Sequence, residues 1–205
     1  MSAPLRIAVI DDDEAVLDSL RLYFARQNID AACFADGSAF LAAAGRGERF
    51  DCVVSDVRMP GLTGLDLVRR LKADGFAAPI ILITGHGDVD MAVAAIKAGA
   101  FDFIEKPFDE TRLLASVGNA MDKARAPDSE GAEQGELRSR LQSLSERQRQ
   151  VMDLVVKGLS NKEIAAQLKI SPKTVENHRA WVMERMGARN IAELVRIAMT
   201  VEGKP

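Results

Sequence analysis

The chain has 205 residues, 47% of them hydrophobic and 28% charged, which is the composition of a globular protein with room for one large or two small domains. Residues 1–124 carry 13 Lys and Arg against 19 Asp and Glu, whereas residues 141–205 carry 11 against 7, which indicates two modules, the second suited to a polyanion. No apolar run approaches the ~18–20 residues that span a bilayer, and the apolar run near the N-terminus does not suit a signal peptide. Cys33 and Cys52 are isolated in the sequence, which indicates thiols of a reducing cytoplasm and not a zinc finger or a disulfide scaffold.

Along the first 124 residues, apolar runs typical of strands alternate with amphipathic segments typical of helices. The strands are predicted at residues 5–10, 30–34, 51–55, 79–83 and 101–104, and the helices at 14–27, 38–44, 64–73, 89–98 and 110–124. The strand runs are continuous and not alternating, as in parallel strands buried on both faces. We therefore predict an α/β fold, a doubly wound five-stranded parallel sheet of the flavodoxin-like order 2-1-3-4-5, with its ligand site at the carboxyl ends of the strands.

The composition changes after residue 124. Residues 124–135 are small and polar, with one Pro and two Gly, and predict a flexible linker. From Glu136 onward the pattern is only helical, with four helices predicted at residues 146–157, 161–168, 172–186 and 191–201. The predicted N-caps are Ser145, Ser160 and Ser171, with Pro172 at the first helical position and Gly158 and Gly187 as helix stops. We expect a first domain over 4–124, a linker over 125–140 and a small all-helical domain over 141–205.

Polar residues follow four of the predicted strands at the point where each strand ends. They are Asp11, Asp12 and Asp13 after the first, Asp56 after the third, Thr84 after the fourth and Lys106 after the fifth. Strands one and three are neighbours in the predicted order, so their carboxylates converge and need a cation, for which hard oxygen ligands favour Mg²⁺. A carboxylate nucleophile, a divalent metal, a hydroxyl and an ammonium around one point suit the chemistry of an acyl phosphate.

Four segments of this first domain resemble the receiver domain of two-component response regulators, over about residues 4–124. They are VIDDDEAV, SDVRMPGLTGLDL, ITGHGD and AFDFIEKPF. The resemblance implies that Asp56 accepts a phosphoryl group, which Thr84 and Lys106 then bind. It also implies a set of Mg²⁺ ligands made of Asp11, Asp12, Asp56 and the backbone carbonyl of Arg58. Asp13 is then a surplus acid, solvated or at the cap of the first helix.

The segment GHGDVDMAVAAIKAGAFDFIEKPF is similar to FixJ-type receivers in particular. The resemblance to receiver domains implies that Phe103 is a switch aromatic that turns inward on phosphorylation, with a phenylalanine that only fills the core as the alternative. It also implies a cis peptide bond before Pro107, although only ~5–6% of X–Pro bonds are cis. Arg58 and His86 lie where family members tune the lifetime of the phosphoryl group, and we expect His86 to gate water from its loop. Gly85 has no side chain and leaves the phosphoryl group accessible.

Two predicted helices of the last domain are joined by a tight turn at residues 169–171, and their facing apolar residues are Ile164, Leu168, Val175 and Val182. The second helix presents a polar face with small side chains, suited to a DNA major groove, made of Lys173, Thr174, Glu176, Asn177, Arg179 and Ala180. Basic residues that can neutralise phosphates are Lys162, Lys169, Lys173, Arg179, Arg185 and Arg189. On composition alone, an amphipathic helix with a solvated charged face remains the alternative.

The segment SNKEIAAQLKISPKTVENHRAWVMERMG resembles the LuxR/NarL-type helix-turn-helix, over about residues 141–203. The resemblance implies that residues 172–186 form the recognition helix, with the outward residues of that helix at or near the DNA. Glu176 departs from relatives that carry a lysine there. An acid can accept from cytosine N4 but repels phosphates, so the operator of those relatives does not transfer to this chain. His178 and Trp181 are expected to pack inward or against the other helices of the domain.

These features together predict a cytoplasmic transcriptional regulator. A sensor histidine kinase is expected to phosphorylate Asp56, and the phosphorylated chain to bind double-stranded promoter DNA as a homodimer, with RNA polymerase as a further partner and no contact with membranes. Such a protein is a switch and not a metabolic enzyme, because it catalyses only its own phosphorylation and dephosphorylation. Val93 and Lys97 on the fourth predicted helix are the expected centre of the dimer face.

Two other functions could use the same residues. A phosphatase of the haloacid dehalogenase type would use Asp11 as nucleophile and Asp13 as acid-base, but the chain lacks the Gly-Thr that should follow and a cap domain. A receiver that only scaffolds partners would have a helical domain that does not bind DNA. Phosphoryl labelling of Asp11 and Asp56 variants separates the first alternative from the main prediction, and DNA binding separates the second.

Overall fold

The computed structural model describes residues 5–85, 88–125 and 130–202. The chain divides into two compact units. The first comprises the chain up to residue 87 together with residues 98–125, and the second comprises Asp88–Lys97 together with the chain from residue 126 onward. Residues 88–97, which the sequence places within the first predicted domain, thus group with the C-terminal part.

The first unit is built on five strands, which are β1 (Arg6–Ile10), β2 (Asp30–Phe34), β3 (Cys52–Asp56), β4 (Ile80–Thr84) and β5 (Asp102–Glu105). All neighbouring strands are parallel and the sheet order is β2-β1-β3-β4-β5. The predicted α/β class and strand order are therefore confirmed. Every residue of β3 and β4 is buried, which explains why their sequences are continuous apolar runs.

The helices that follow the five strands along the chain are α1 (Glu14–Arg26), α2 (Gly37–Gly45), α3 (Gly64–Ala73), α4 (Val89–Lys97) and α5 (Glu110–Arg125). Polar side chains cap the first three by accepting from backbone amides. Asp13 accepts from the amide of Ala15, and Asp36 and Thr63 cap α2 and α3 in the same way. Asp13 is thus the helix cap that the sequence offered as one of its two roles.

The core of the first unit is mostly aliphatic. It joins one face of the sheet to α1 and α5, and its fully buried members include Ile7, Val54, Ile81 and Leu113. Burying each such side chain contributes about 1.5–3 kcal/mol. Cys52 belongs to this core as a free thiol, and burial raises its pKa to about 12, so it acts as a small hydrophobic residue.

The second unit contains α4 and five further helices, which are α6 (Glu130–Gln142), α7 (Glu146–Val156), α8 (Asn161–Leu168), α9 (Pro172–Met186) and α10 (Ile191–Glu202). The predicted N-caps are confirmed: Ser145 and Ser160 form capping boxes with Gln148 and Glu163, and Ser171 precedes Pro172. Gly187 ends α9 at φ +69°, a left-handed conformation that favours glycine. None of the described helices is long and apolar enough to cross a membrane.

Helix α6 overlaps the linker predicted over residues 125–140, and it corrects the flexible conformation expected for residues 130–135. The helix begins at Glu130 and thus includes most of the predicted linker. Its Glu, Ala, Gln, Leu and Arg residues are strong helix formers, which outweigh the cost of about 1 kcal/mol for each of its two glycines. Leu137 is buried, and Arg140 pairs with Glu136 one turn earlier, so the helix is also anchored through its side chains.

Candidate functional site

The carboxyl ends of the strands bring two carboxylates and one ammonium together. Asp11 directly follows β1 and Asp56 ends β3, and these two strands are paired neighbours. The Lys106 Nζ atom, from the loop after β5, lies 2.8 Å from Oδ2 of Asp11 and 2.8 Å from Oδ1 of Asp56. Three of the predicted site residues, separated by up to 95 positions in the chain, therefore meet at one point.

The two carboxylates are held in a largely dry environment. Asp11 is 2% exposed and Asp56 is 6% exposed. Burial alone would lower the pKa of Lys106, but its hydrogen bonds and charge interactions with Asp11 and Asp56 outweigh this and raise the pKa above its ordinary value. Lys106 is therefore a permanent cation at physiological pH, and it supplies the positive charge that two neighbouring buried carboxylates require.

Backbone amides fix both carboxylates from the other side. The amide of Arg58 donates to Oδ2 of Asp56 at 2.6 Å, and the amide of Asp13 donates to Oδ1 of Asp11 at 3.0 Å. Each carboxylate thus has one oxygen held by the backbone and the other by Lys106. This arrangement orients the Asp56 carboxylate, which is a requirement for a carboxylate nucleophile.

The two buried carboxylates fit a divalent cation in chemistry and position, because their oxygens already converge on one cationic atom. The third predicted carboxylate belongs to Asp12, which is exposed. Within residues 5–85, 88–125 and 130–202, no three His, Cys, Asp or Glu side chains are close enough together to hold a metal ion. The role of Asp12 as an Mg²⁺ ligand therefore stays a prediction, and Lys106 is the cation that the structure places between Asp11 and Asp56.

The remaining predicted residues of this edge lie close to the same strands. Thr84 ends β4, is fully buried and accepts the amide of Lys106 through its backbone carbonyl at 2.6 Å. The Lys106–Pro107 peptide bond is cis, as predicted. Phe103 on β5 is already buried, so its ring does not start from a solvent-exposed position. His86 lies outside the described residues.

Two positioning residues were missed by the sequence analysis. A Cβ atom on Gly64, the first residue of α3, would collide with the backbone carbonyl oxygen of Asp56. Ser116 on α5 donates a buried 2.8 Å hydrogen bond to Asp102, which begins β5 four residues before Lys106. Asp102 is the single acid within the strand predicted at residues 101–104, and this was the available signal for the second contact, because a buried carboxylate needs a partner.

The predicted helix pair of the second unit is confirmed. Ile164, Val175 and Val182 are fully buried between α8 and α9, with Leu168 packed against the same cluster. The turn between the helices contains Lys169 at φ +54°, a left-handed conformation in a residue other than glycine. The two helices are therefore fixed by a packed apolar face.

The six predicted contact residues of α9 divide into two groups. Lys173, Glu176, Asn177 and Ala180 are exposed, and Lys173 pairs with Glu176 at 2.9 Å. Thr174 is only partly exposed and shares a 2.8 Å hydrogen bond with Ser171. Arg179 is also partly buried, and its guanidinium donates to the side chain of Asn161 on α8. Burial lowers the pKa of Arg179, against the opposing charge of Glu176.

Trp181 does not pack fully inward, which was the first of the two placements expected for it; the second, against the other helices of the domain, stays a prediction. The Trp181 side chain is 50% exposed, one of two large apolar side chains exposed among the residues described. His178 is partly buried and packs edge-on against the indole, with ring centroids 5.5 Å apart and an interplanar angle of 74°. The reason is geometric: on a helix with about 100° per residue, Trp181 lies about 100° from the buried Val182 and cannot reach the core.

Comparison with known proteins identifies both parts of the chain. Residues 7–118 match the family model of the response regulator receiver domain, and residues 142–198 match that of the luxR family of bacterial regulatory proteins. The chain belongs to the two-component response regulators. Within this family it combines a receiver domain with a LuxR-type DNA-binding domain, so its output is DNA binding and not metabolic catalysis.

Close relatives of this response regulator match along nearly its whole length. The transcriptional regulatory protein FixJ of Bradyrhizobium diazoefficiens is 47% identical over 199 residues, which are 97% of each chain. The response regulator protein TodT of Pseudomonas putida is 42% identical over 191 residues, 93% of this chain and 84% of TodT. Among solved structures, full-length FixJ from B. japonicum has 46% identity and a TM-score of 0.58, with both chains covered completely. The resemblance to FixJ-type regulators is therefore confirmed.

Proposed function

We propose that this response regulator accepts a phosphoryl group on Asp56 from a sensor histidine kinase and, when phosphorylated, binds promoter DNA as a homodimer. The observation that carries the proposal is the Lys106 ammonium held 2.8 Å from both Asp11 and Asp56. A buried carboxylate that faces an ammonium is prepared for the charge of an incoming phosphoryl group, because the cation can pass from the carboxylate to the phosphoryl oxygens.

In the proposed transfer, an oxygen of Asp56 attacks the phosphorus of a phosphohistidine on the kinase. The P–N bond breaks, the imidazole leaves with its electron pair, and an acyl phosphate P–O bond forms on Asp56. The amide of Arg58 keeps the other carboxylate oxygen in place, and Lys106 binds the new phosphoryl oxygens. Mg²⁺ bound by Asp11, Asp12, Asp56 and the backbone carbonyl of Arg58 would offset the repulsion between the phosphoryl group and the carboxylates.

Thr84 is the proposed link between phosphorylation and the rest of the receiver. Thr84 is fully buried at the end of β4, and β4 pairs with β3, the strand that ends at Asp56. Phosphorylation draws the Thr84 hydroxyl toward the phosphoryl group, and the neighbouring Phe103 repacks in response. The exposed Lys97 remains a candidate contact of the resulting dimer, whereas Val93 is buried and becomes available only if α4 is rearranged.

For the second unit, we propose that α9 enters the major groove. The predicted DNA contacts are Lys173, Thr174, Glu176, Asn177, Arg179 and Ala180. Asn177 and Ala180 support base reading, since both are exposed on the face opposite the core. Two copies in a dimer would engage two half-sites about one helical turn apart, and RNA polymerase is the proposed partner of the assembled complex.

Phosphoryl labelling tests the chemical part of this proposal. With Mg²⁺ and acetyl phosphate, the protein should acquire one acid-stable, base-labile phosphoryl group. Asp56→Asn should abolish the label and EDTA should reduce it strongly. A label that persists in full in Asp56→Asn but disappears in Asp11→Asn would contradict the proposal and favour the phosphatase chemistry that uses Asp11.

A further inference from the structure

Trp181 is the only tryptophan of the chain, and its indole is half exposed in the middle of α9. Tryptophan combines a large apolar surface with one N–H donor, and for this reason it is enriched where proteins meet their partners. The single other large apolar side chain exposed among the described residues, Leu22, lies on α1 in the other unit. The exposure of Trp181, unlike that of Leu22, falls on the helix that is proposed to bind DNA.

The position of Trp181 on the helix suggests what it meets. With about 100° per residue, it lies about 40° around the helix from Asn177 and about 100° from Val182 in the core. It is thus at the flank of the exposed face, not at its centre. A helix of ~10–12 Å diameter fills a major groove of ~12 Å, so its flanks face the groove walls, which are the sugar-phosphate backbones.

An indole donor at this flank would add to the charged contacts that α9 can make. Lys173 and Arg179 of its predicted DNA face also have partners within the protein, Glu176 and Asn161, and the exposed Arg185 lies one turn after Trp181. Glu176 and Glu184 add exposed carboxylates to the same helix. An indole N–H can donate to a phosphate oxygen without a charge, and the ring can pack against the adjacent deoxyribose.

His178 holds the indole in this outward position. The two rings pack edge-on with centroids 5.5 Å apart, and Nδ1 of His178 is buried without a hydrogen-bond partner in the structure described. The imidazole therefore serves as a packing surface under the tryptophan. A supported aromatic ring loses little conformational entropy on binding, which makes it an efficient contact.

We propose that Trp181 contacts the DNA backbone beside the groove that α9 enters, with its indole N–H donating to a phosphate oxygen. The inference rests on the proposed function, since it requires α9 in the major groove. A second copy of the chain would be the competing occupant. DNA is favoured because the indole is continuous with the exposed face of α9 and because residues 141–205 carry an excess of four positive charges.

The single tryptophan makes a direct test possible. The full-length protein, phosphorylated with acetyl phosphate and Mg²⁺, is titrated at low salt with a duplex pool of random sequence, and then with the duplex that the protein enriches from it. Indole emission is followed beside the anisotropy of end-labelled DNA. We expect the emission to change and to saturate at the DNA concentration at which the anisotropy saturates.

Two variants and one control separate the parts of the contact. Trp181→Phe keeps a ring but loses the donor and should weaken binding about 5–10-fold, the value of one hydrogen bond. Trp181→Ala should weaken it further, about 30-fold or more, because the packing on deoxyribose is also lost. Leu22→Ala removes the other exposed apolar side chain and should bind as the wild type does. Circular dichroism verifies that all three variants are folded.

The possible failures are distinguishable. Unchanged emission while the labelled DNA binds, together with wild-type affinity in Trp181→Ala, would overturn the inference and leave the proposed function intact. Emission that changes with protein concentration in the absence of DNA would assign the indole to a contact between copies and would also overturn it. If neither readout detects binding to any duplex, the proposed function fails, and this inference fails with it.

Discussion

Gly64 approaches Asp56 so closely that a single methyl group on Gly64 would collide with the carbonyl oxygen of Asp56. The amide of Gly64 also donates to the carbonyl of Val57 at 3.0 Å, so α3 begins directly against the end of β3, where the proposed phospho-acceptor lies. The obstacle is backbone and cannot rotate away. The start of α3 therefore sets the position of Asp56 relative to Lys106.

Gly64→Ala is expected to lower the stability of the receiver by about 1–3 kcal/mol, because the backbone must shift to admit the new methyl group. The rate of phosphorylation by acetyl phosphate should fall as well. Urea denaturation and the labelling assay measure the two effects. Gly118→Ala on α5 is the matched control: its Cβ would meet nothing within 4 Å, so helix propensity should stabilise that variant by up to about 1 kcal/mol. Equal stability of the two variants would contradict the argument.

Lys106→Met is expected to destabilise the fold by about 1–3 kcal/mol at neutral pH, because Asp11 and Asp56 then face each other without a cation. The value is below the 3–5 kcal/mol of a fully buried pair, since the Lys106 side chain is 26% exposed. Added Mg²⁺ should restore part of the loss, which thermal unfolding would detect. A variant as stable as the wild type without Mg²⁺ would show that the ammonium is not needed there.

The pH dependence of that difference follows from the raised pKa of Lys106. A cation whose pKa is higher in the folded state contributes its full stability below the unfolded value of about 10.4 and loses it as the pH rises through the folded value. The stability difference between wild type and Lys106→Met should thus be constant from about pH 7 to 9 and shrink above about pH 10.4. A stability difference between wild type and Lys106→Met that grows as the pH rises above about 10.4 would contradict this prediction.

Ser116→Ala should cost about 1–2 kcal/mol, because it removes the buried 2.8 Å hydrogen bond to Asp102 and leaves that carboxylate poorly satisfied. Chemical denaturation measures the change. Ser19→Ala provides the comparison, since Ser19 is an exposed serine inside α1 and its loss should be nearly neutral. Equal effects of the two substitutions would remove Ser116 from the set of positioning residues.

On the DNA side, Lys173→Ala should weaken binding to all sequences and reduce the dependence of log affinity on log salt by about one unit, as expected for one phosphate contact. The stability of the Lys173→Ala variant should be unchanged, because Lys173 is exposed.

Asn177→Ala should instead alter the sequence preference of DNA binding. Arg179→Ala should weaken DNA binding and also lower stability, since its guanidinium links α9 to Asn161 on α8. Selection from a random duplex pool and salt titrations measure these effects.

The strands and the helix caps were predictable because they depend on local patterns, and the strand order followed from the alternation of strands and helices, which is typical of a doubly wound sheet. Continuous apolar runs identify buried parallel strands, and Ser145, Ser160 and Ser171 cap helices through contacts within four residues. Contacts between distant residues were less accessible. The close approach of Gly64 to Asp56 depends on how α3 meets the end of β3. For residues 130–135, composition alone suggested a linker, although they belong to α6.

The exposure of Trp181 was missed for a related reason. Hydrophobicity suggested burial, but its angular position on α9 places it about 100° from the core residue Val182. Convergence of Asp11, Asp56 and Lys106 could be predicted from the strand ends. That Lys106 itself would bridge both carboxylates, while Asp12 stays exposed, required the three-dimensional structure.

The central claim is that phosphorylation of Asp56 controls DNA binding, and capture of genomic DNA with and without acetyl phosphate tests it most directly. The wild type should enrich a discrete set of fragments strongly only when acetyl phosphate and Mg²⁺ are present, and Asp56→Asn should show no such dependence. Identical fragments, recovered in equal amount by the wild type with and without acetyl phosphate, would contradict the account.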